Sequence, residues 1–227
     1  MNKKYLIITI ACFIISMVSG IITNDLLLGG SILFTGLLCA YLASEAKRSN
    51  YIISLINYLL MGYVSLKNNL YGIAFFYIFI FSSLQIHGYI TWKSNTDEED
   101  TVSVREFTLK NSIIITLSCI IGSLILGYLL TLIPDQKLAF LDSTSNIINL
   151  CGVILMILRF KECWWIWLFN NIIDLTIWII TVINKGDNSI MMLLVSIGYL
   201  TINIYGIISW NIKAKKGEKY EANKTRT

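Results

Sequence analysis

Residues 108–132 read TLKNSIIITLSCIIGSLILGYLLTL, and this stretch decides the class of fold. Its only charged side chain is that of Lys110. The hydrocarbon core of a bilayer is about 30 Å thick, so a helix of roughly 20 apolar residues crosses it. The stretch therefore predicts a membrane-spanning α-helix.

Seven further apolar segments of similar length accompany this one, at 5–23, 26–46, 49–66, 70–92, 137–158, 162–183 and 187–211. Hydrophobic residues make up 56% of the 227-residue chain and charged residues 14%, whereas a soluble domain carries about 25% charged residues. Barrel strands would alternate over short stretches, and these segments are apolar on most faces. The sequence predicts an all-α integral membrane protein with eight transmembrane helices.

The first segment also resembles a secretory signal peptide, because Lys3 and Lys4 precede its apolar run. The run is as long as a full span, and Met17–Gly20 is a poor cleavage site, so we expect a retained helix. The five cysteines stand singly in or beside apolar segments, without metal-ligand spacing. We expect them to pack as small apolar residues, and the sequence indicates no cofactor.

The positive charges predict the orientation. With the N-terminus in the cytoplasm, 15 of the 18 Lys and Arg residues fall on the cytoplasmic side, as the positive-inside rule requires. Both termini and the polar stretch 93–107 are then cytoplasmic. Four adjacent acids, Asp97–Asp100, lack the spacing of a chelating loop, so a solvated linker is favoured over a regulatory or metal-binding loop. The basic tail can touch anionic lipid, and the net charge of +4 requires no nucleic-acid partner.

Two short motifs indicate an internal repeat. Gln85–Trp92 and Asn203–Trp210 both read amide-x-x-Gly-x-x-x-Trp, 118 residues apart. Copies separated by one helix have the same orientation, and such parallel repeats are a transporter arrangement. The predicted organisation is an N-terminal helix at 1–25, a three-helix repeat at 26–92, the linker at 93–107, a linker helix at 108–136, a second three-helix repeat at 137–211 and a tail at 212–227.

Polar residues concentrate in the seventh segment. Its Trp164, Trp167, Asn171, Asp174 and Trp178 are three or four residues apart and share one helix face. Aromatic planes and amides on one face suit a flat heteroaromatic ligand, and a cationic ring gains further from facing Trp. The interfacial aromatic belt is an equal alternative for Trp164 and its neighbour Trp165. The aspartate fits a countercharge, a proton carrier or a structural acid.

Other segments carry single polar residues that extend this candidate site. They are Asn57, Gln85, Asn149 and Asn203, with Tyr77 and Tyr199 as weaker candidates. A lone membrane Asn or Gln commonly bonds a neighbouring helix instead. His87, the single histidine, is expected to be structural. The chain has no nucleophile–base pattern, phosphate loop or HExxH motif, which argues against an enzyme.

Three stretches resemble the PnuC family of bacterial vitamin transporters, best known for nicotinamide riboside. They are Trp164–Asn171, with its aromatic-x-x-aromatic-x-x-x-Asn spacing, the region from Asn57 to Trp92, and Asn203–Trp210. The resemblance covers about residues 30–211. It implies a SWEET-like 3+1+3 helix core with one extra N-terminal helix, a homotrimer in the bacterial inner membrane, and facilitated diffusion. A cytosolic kinase would trap the vitamin and so support NAD biosynthesis.

The resemblance also implies a substrate site, which would bind nicotinamide riboside through Trp164, Trp167, Asn170, Asn171, Gln85, Asn203 and Asn57. Thr176–Trp178 stands where family members often show Leu-Tyr, so a thiamine, riboflavin or sugar carrier of the same architecture is an alternative. A membrane scaffold or sensor that uses the acidic linker and the basic tail is an alternative of another class.

Overall fold

The chain is all-helical, which confirms the predicted fold class. The computed structural model describes residues 3–67, 71–96, 102–107, 109–134, 138–185 and 189–224. The described residues form eight continuous helical stretches: α1 (Lys3–Ile22), α2 (Leu28–Ser44), α3 (Asn50–Lys67), α4 (Tyr71–Phe75, Phe76–Phe81 and Ser82–Lys93 without a break), α5 (Leu109–Thr131), α6 (Ala139–Ile157), α7 (Cys163–Ile183) and α8 (Ser189–Lys224).

Six of these helices are long and apolar enough to cross a membrane, namely α1, α4, α5, α6, α7 and α8. Helix α2 is apolar but has 17 residues, and α3 includes Asn50, Ser54 and Asn57, which lower its hydropathy. Eight crossings therefore stay a prediction. Helix α8 continues past the predicted end at 211 to Lys224, because the tail is rich in Lys, Glu and Ala, which are good helix formers.

Apolar side chains cover the outside of the molecule. Only 17% of the spans of α1 and of α5 is buried inside the structure, and Ile and Leu side chains are exposed along both helices. Water-soluble monomers rarely expose apolar patches of this size. These two helices therefore present the surface expected of a lipid-facing layer.

Helix α4 contains a π-helical segment at Phe76–Phe81. The hydroxyl of Ser82 donates to the carbonyl of Tyr77, five residues earlier, at 2.8 Å. A π-helical turn holds about one residue more than an α-helical turn, so the side chains after it point in a different direction around the helix axis. Such segments are frequent at functional sites. Here the segment brings Tyr77 to the interior, where its ring stacks on Tyr58 at 5.5 Å between centroids.

Six helices form a closed ring in the order α2, α3, α4, α6, α7, α8, with α8 packed back on α2. Helix α1 packs on the outside against α2, and α5 packs on the outside against α6. Each half of the chain thus supplies three ring helices and one outer helix. The middle of the ring is the only region that all six ring helices reach together.

Matched residues close the two seams between the halves. The indole of Trp92, near the end of α4, donates to the carbonyl of Ile157 on α6 at 3.0 Å. The indole of Trp210 on α8 donates to the carbonyl of Ala43 on α2 at 2.9 Å. The two tryptophans of the sequence repeat therefore make equivalent contacts, one donated from the first half of the chain to the second and the other from the second half to the first.

The described part of the linker, residues 102–107, ties the halves together at one end of the ring, hereafter the linker end. Residues Ala46 and Arg159 follow α2 and α6 with positive φ angles of 57° and 68°. The carbonyl of the first accepts the N–H of Val102 at 2.9 Å, and that of the second accepts the N–H of Arg105 at 2.8 Å. The linker thus spans two equivalent turns. The acidic run at 97–100 lies outside the described residues.

Candidate functional site

A cavity lies inside the ring. Side chains from all six ring helices line it, and none of the described lining residues belongs to α1 or α5. One apolar cluster, which includes Trp92 and Trp210, closes the linker end. A second cluster, which includes Ile32, Val64 and Met191, lies toward the opposite end. The cavity is thus enclosed between the six ring helices and two apolar clusters.

All seven residues predicted to bind substrate line this one cavity. They come from four helices: Asn57 from α3, Gln85 from α4, Trp164, Trp167, Asn170 and Asn171 from α7, and Asn203 from α8. Asp174 and Trp178 complete the predicted stripe on α7 and also line the cavity. The structure therefore brings the candidate residues together, and their part in binding stays a prediction.

The two tryptophans of α7 are held rigidly. Trp164 lies edge-on to Trp167, with 5.3 Å between ring centroids and an interplanar angle of 80°. Its ring also packs on Gly206 of α8, where an added Cβ would lie 2.3 Å from the indole. The indole nitrogen of Trp167 donates to the side-chain oxygen of Asn149 at 3.2 Å. Fixed aromatic planes of this kind need little reordering to stack on a flat ligand.

Five buried polar atoms of residues that line the cavity have no hydrogen-bond partner among the described residues. They are Oδ1 of Asn50, Oε1 of Gln85, Oδ1 of Asn170, Nδ2 of Asn171 and Nε1 of Trp164. A buried polar atom without a partner costs about 1–3 kcal/mol. Three of these atoms are acceptors and two are donors, so a ligand with both kinds of group can satisfy them.

Asn57 differs from the other amides, because the protein itself uses its hydrogen bonds. Its Nδ2 donates to the carbonyl of Ile32 and to Oγ1 of Thr35, both at 2.9 Å. Its Oδ1 accepts the hydroxyl of Tyr199 at 3.2 Å. This arrangement joins α3 to α2 and α8, which is the interhelical role that the sequence left open. Asn57 therefore shapes the wall of the cavity.

Asp174 lies on the same face of α7, one turn beyond Asn171. Its Oδ1 accepts the hydroxyl of Ser145 on α6 at 2.5 Å. Its Oδ2 accepts Nδ2 of Asn170 at 2.9 Å. The carboxyl group thus has one neighbour on each oxygen and remains at the cavity wall.

Two residues of the sequence analysis lie elsewhere. Trp165 is 57% exposed on the outside of α7, in agreement with an interfacial position. His87 is exposed on α4, where its ring contacts the hydroxyl of Thr91 at 3.4 Å. The five cysteines are all free thiols.

A second polar stripe, which was not predicted from the sequence, lies on α3. Asn50, Ser54 and Tyr58 line the cavity beside Asn57 and Met61. Their spacing of three or four residues places them on one helix face, so the same test that found the stripe on α7 would have found this one. Helix α3 thus faces the cavity in one half of the chain as α7 does in the other.

The family model described as "Nicotinamide mononucleotide transporter" matches residues 26–212. A nicotinamide riboside transporter PnuC from Neisseria mucosa is 28% identical over 188 residues, which cover 80% of this chain and 71% of that protein. One from Haemophilus influenzae is 28% identical over 218 residues, covering 94% and 92%. A crystal structure of the vitamin B3 transporter PnuC superposes with a TM-score of 0.81 at 25% identity and covers 95% of this chain and 94% of that one.

Proposed function

The chain belongs to the nicotinamide mononucleotide transporter family, and from this premise we propose that it carries nicotinamide riboside across the membrane. Membership also confirms the resemblance to PnuC proteins that the sequence shows. The observation that carries the proposal is the cavity inside the helix ring, where a rigid tryptophan pair meets buried amide groups that lack partners.

The nicotinamide ring stacks on Trp164 or Trp167. Its carboxamide offers an N–H₂ donor and a carbonyl acceptor. The unpartnered acceptor of Gln85 and the unpartnered donor of Asn171 match these two groups. The ribose hydroxyls, which both donate and accept, bond Asn170 and Asn203. The contacts with Gln85, Asn170 and Asn171 satisfy buried polar atoms that have no partner among the described residues, which favours ligand binding.

Transport follows from rocking of the two halves of the ring. We infer eight crossings with both termini in the cytoplasm, and two parallel repeats at 26–92 and 137–211. The matched tryptophan bonds at both seams support this repeat. Helices α1 and α5 hold equivalent places on α2 and α6, so each repeat extends to a four-helix unit. Relative rotation of such units opens the central site to one side at a time.

The remaining features of the proposal come from the resemblance. The protein acts as a homotrimer in the bacterial cell membrane, by facilitated diffusion, and a cytosolic kinase traps the vitamin as its phosphate for NAD biosynthesis. The relatives are named as transporters, and we propose no enzymatic activity. A thiamine or riboflavin carrier is the second candidate, because Trp178 also lines the cavity and widens the aromatic surface open to a larger ring.

Replacing Asn171 with Leu tests the proposal. The change removes a buried donor from the cavity and fills its space with an apolar group, so saturable uptake of radiolabelled nicotinamide riboside should be lost while the protein still reaches the membrane. Thr176→Leu is the matched control, because Thr176 lies on the exposed face of the same helix. Normal uptake kinetics for Asn171→Leu would remove Asn171 from the site. Binding measurements with thiamine and riboflavin on the same protein separate the two candidate functions.

A further inference from the structure

Asp174 is the one lining residue, among those that the structure describes, whose side chain carries a charge at neutral pH. The other lining groups are amides, hydroxyls, thiols, thioethers, indoles and aliphatic carbons. A carboxylate inside a membrane-spanning helix is costly and usually serves function. The cavity therefore has a fixed negative charge and no fixed positive charge to balance it.

The hydrogen bonds around Asp174 position this charge and leave it available. Each oxygen accepts one hydrogen bond, from Ser145 or from Asn170. A carboxylate accepts about four hydrogen bonds, so each oxygen retains a free lone pair. Neither neighbour is charged. The negative charge is therefore held in place by neutral donors and is compensated by no side chain of the cavity wall.

The distance along α7 places this charge next to the proposed ring site. Asp174 follows Asn171 by three residues, which is about 4.5 Å along the helix axis, and follows Trp167 by about 10 Å. A ligand ring that stacks on Trp167 and bonds to Asn171 therefore lies no farther from the Asp174 carboxylate than about its own diameter. Inside a low-dielectric cavity, opposite charges at this range attract far more strongly than they do in water.

We propose that Asp174 is the specificity residue that selects a cationic ring, by supplying the countercharge of the pyridinium in nicotinamide riboside. This inference rests on the proposed function. The riboside is a monocation, its reduced dihydropyridine form is neutral with nearly the same shape, and its 5′-phosphate carries a net negative charge. The carboxylate therefore favours the riboside over the reduced form and opposes the phosphate.

The test measures binding of the oxidised and the reduced riboside to the purified full chain by calorimetry. The wild-type protein should bind the oxidised riboside at least about tenfold more tightly than the reduced riboside, a ratio that corresponds to roughly 1.4 kcal/mol. In the isosteric variant Asp174→Asn the affinity for the oxidised riboside should fall by at least that factor. The affinity for the reduced riboside should change less than about threefold, so the preference for the cation disappears.

Ser145→Ala separates charge from hydrogen bonding. This variant removes one bond to Asp174 and keeps the carboxylate, so it should retain the preference for the cation even where overall affinity falls. If Asp174→Asn lost affinity for both ribosides by the same factor, the preference for the cation would be unchanged. That result would assign Asp174 a structural role and overturn the inference. A wild-type protein that binds neither riboside would instead refute the proposed function.

Discussion

Adding a single methyl group at Gly206 should disable the site without replacing any residue that is proposed to contact substrate. The new Cβ would lie 2.3 Å from Cε3 of Trp164, well inside contact distance. Trp164 cannot move aside, because it is 1% exposed and packs against Trp210 and Trp167 at 6.0 and 5.3 Å between centroids. Overpacking of this kind costs about 1–3 kcal/mol. Since the other sides of the indole are packed, the ring relieves the clash by moving into the cavity.

The effect on binding follows from the lost stacking surface. Stacking of one base on an aromatic side chain contributes about 1–3 kcal/mol, so Gly206→Ala should weaken riboside binding about 5- to 150-fold. Calorimetry on the purified protein measures this loss, and denaturant unfolding measures stability in parallel.

The repeat offers a matched control at Gly88. An added Cβ there would lie 2.3 Å from the ring of Tyr51, which is equally buried but does not line the cavity. Gly88→Ala should therefore lose similar stability and retain most of its affinity. Equal loss of affinity in both variants, or normal binding by Gly206→Ala, would refute the reasoning that the position of Trp164 sets affinity.

Two further changes test the packing that supports the site. Trp210→Phe removes the 2.9 Å hydrogen bond to the buried Ala43 carbonyl, which keeps the N–H of Ala46 as a partner, and should lower the free energy of unfolding by about 0.5–1.5 kcal/mol. The exposed Trp165→Phe should change it by less than about 0.5 kcal/mol, and equal effects would contradict the role given to the seam. Phe107→Ala removes the stacking of this linker ring on Phe160, which lies at 4.1 Å between centroids. Such a pair contributes about 0.5–1.5 kcal/mol. The N–H groups of Val102 and Arg105 should therefore exchange with solvent up to about tenfold faster. Hydrogen–deuterium exchange measures this, with Phe169→Ala on the exposed face of α7 as the control that leaves linker exchange unchanged.

Features that lie on one helix were predictable from the sequence. The stripe from Trp164 to Trp178 is a matter of spacing along a single chain segment, and all five of its members reach the cavity. The helical class and the paired Trp motifs were equally accessible, because apolar length and short repeats are local properties.

Features that depend on contacts between helices were not predictable. Asn57 was placed among the substrate-binding residues, yet its partners Ile32, Thr35 and Tyr199 lie on two other helices. The π-helical segment that brings Tyr77 inward also leaves no clear trace in residue spacing. Nothing in the composition of α1 and α5 shows that the first packs on α2 and the second on α6.

Uptake of radiolabelled nicotinamide riboside into proteoliposomes that contain this protein alone tests the central claim most directly. We predict saturable uptake that stops when the inside and outside concentrations are equal, with or without a proton or sodium gradient, and that requires Trp164, Trp167 and Asn171. Absence of saturable uptake would contradict the proposed carrier function. Accumulation above the outside concentration in the presence of a gradient would contradict facilitated diffusion.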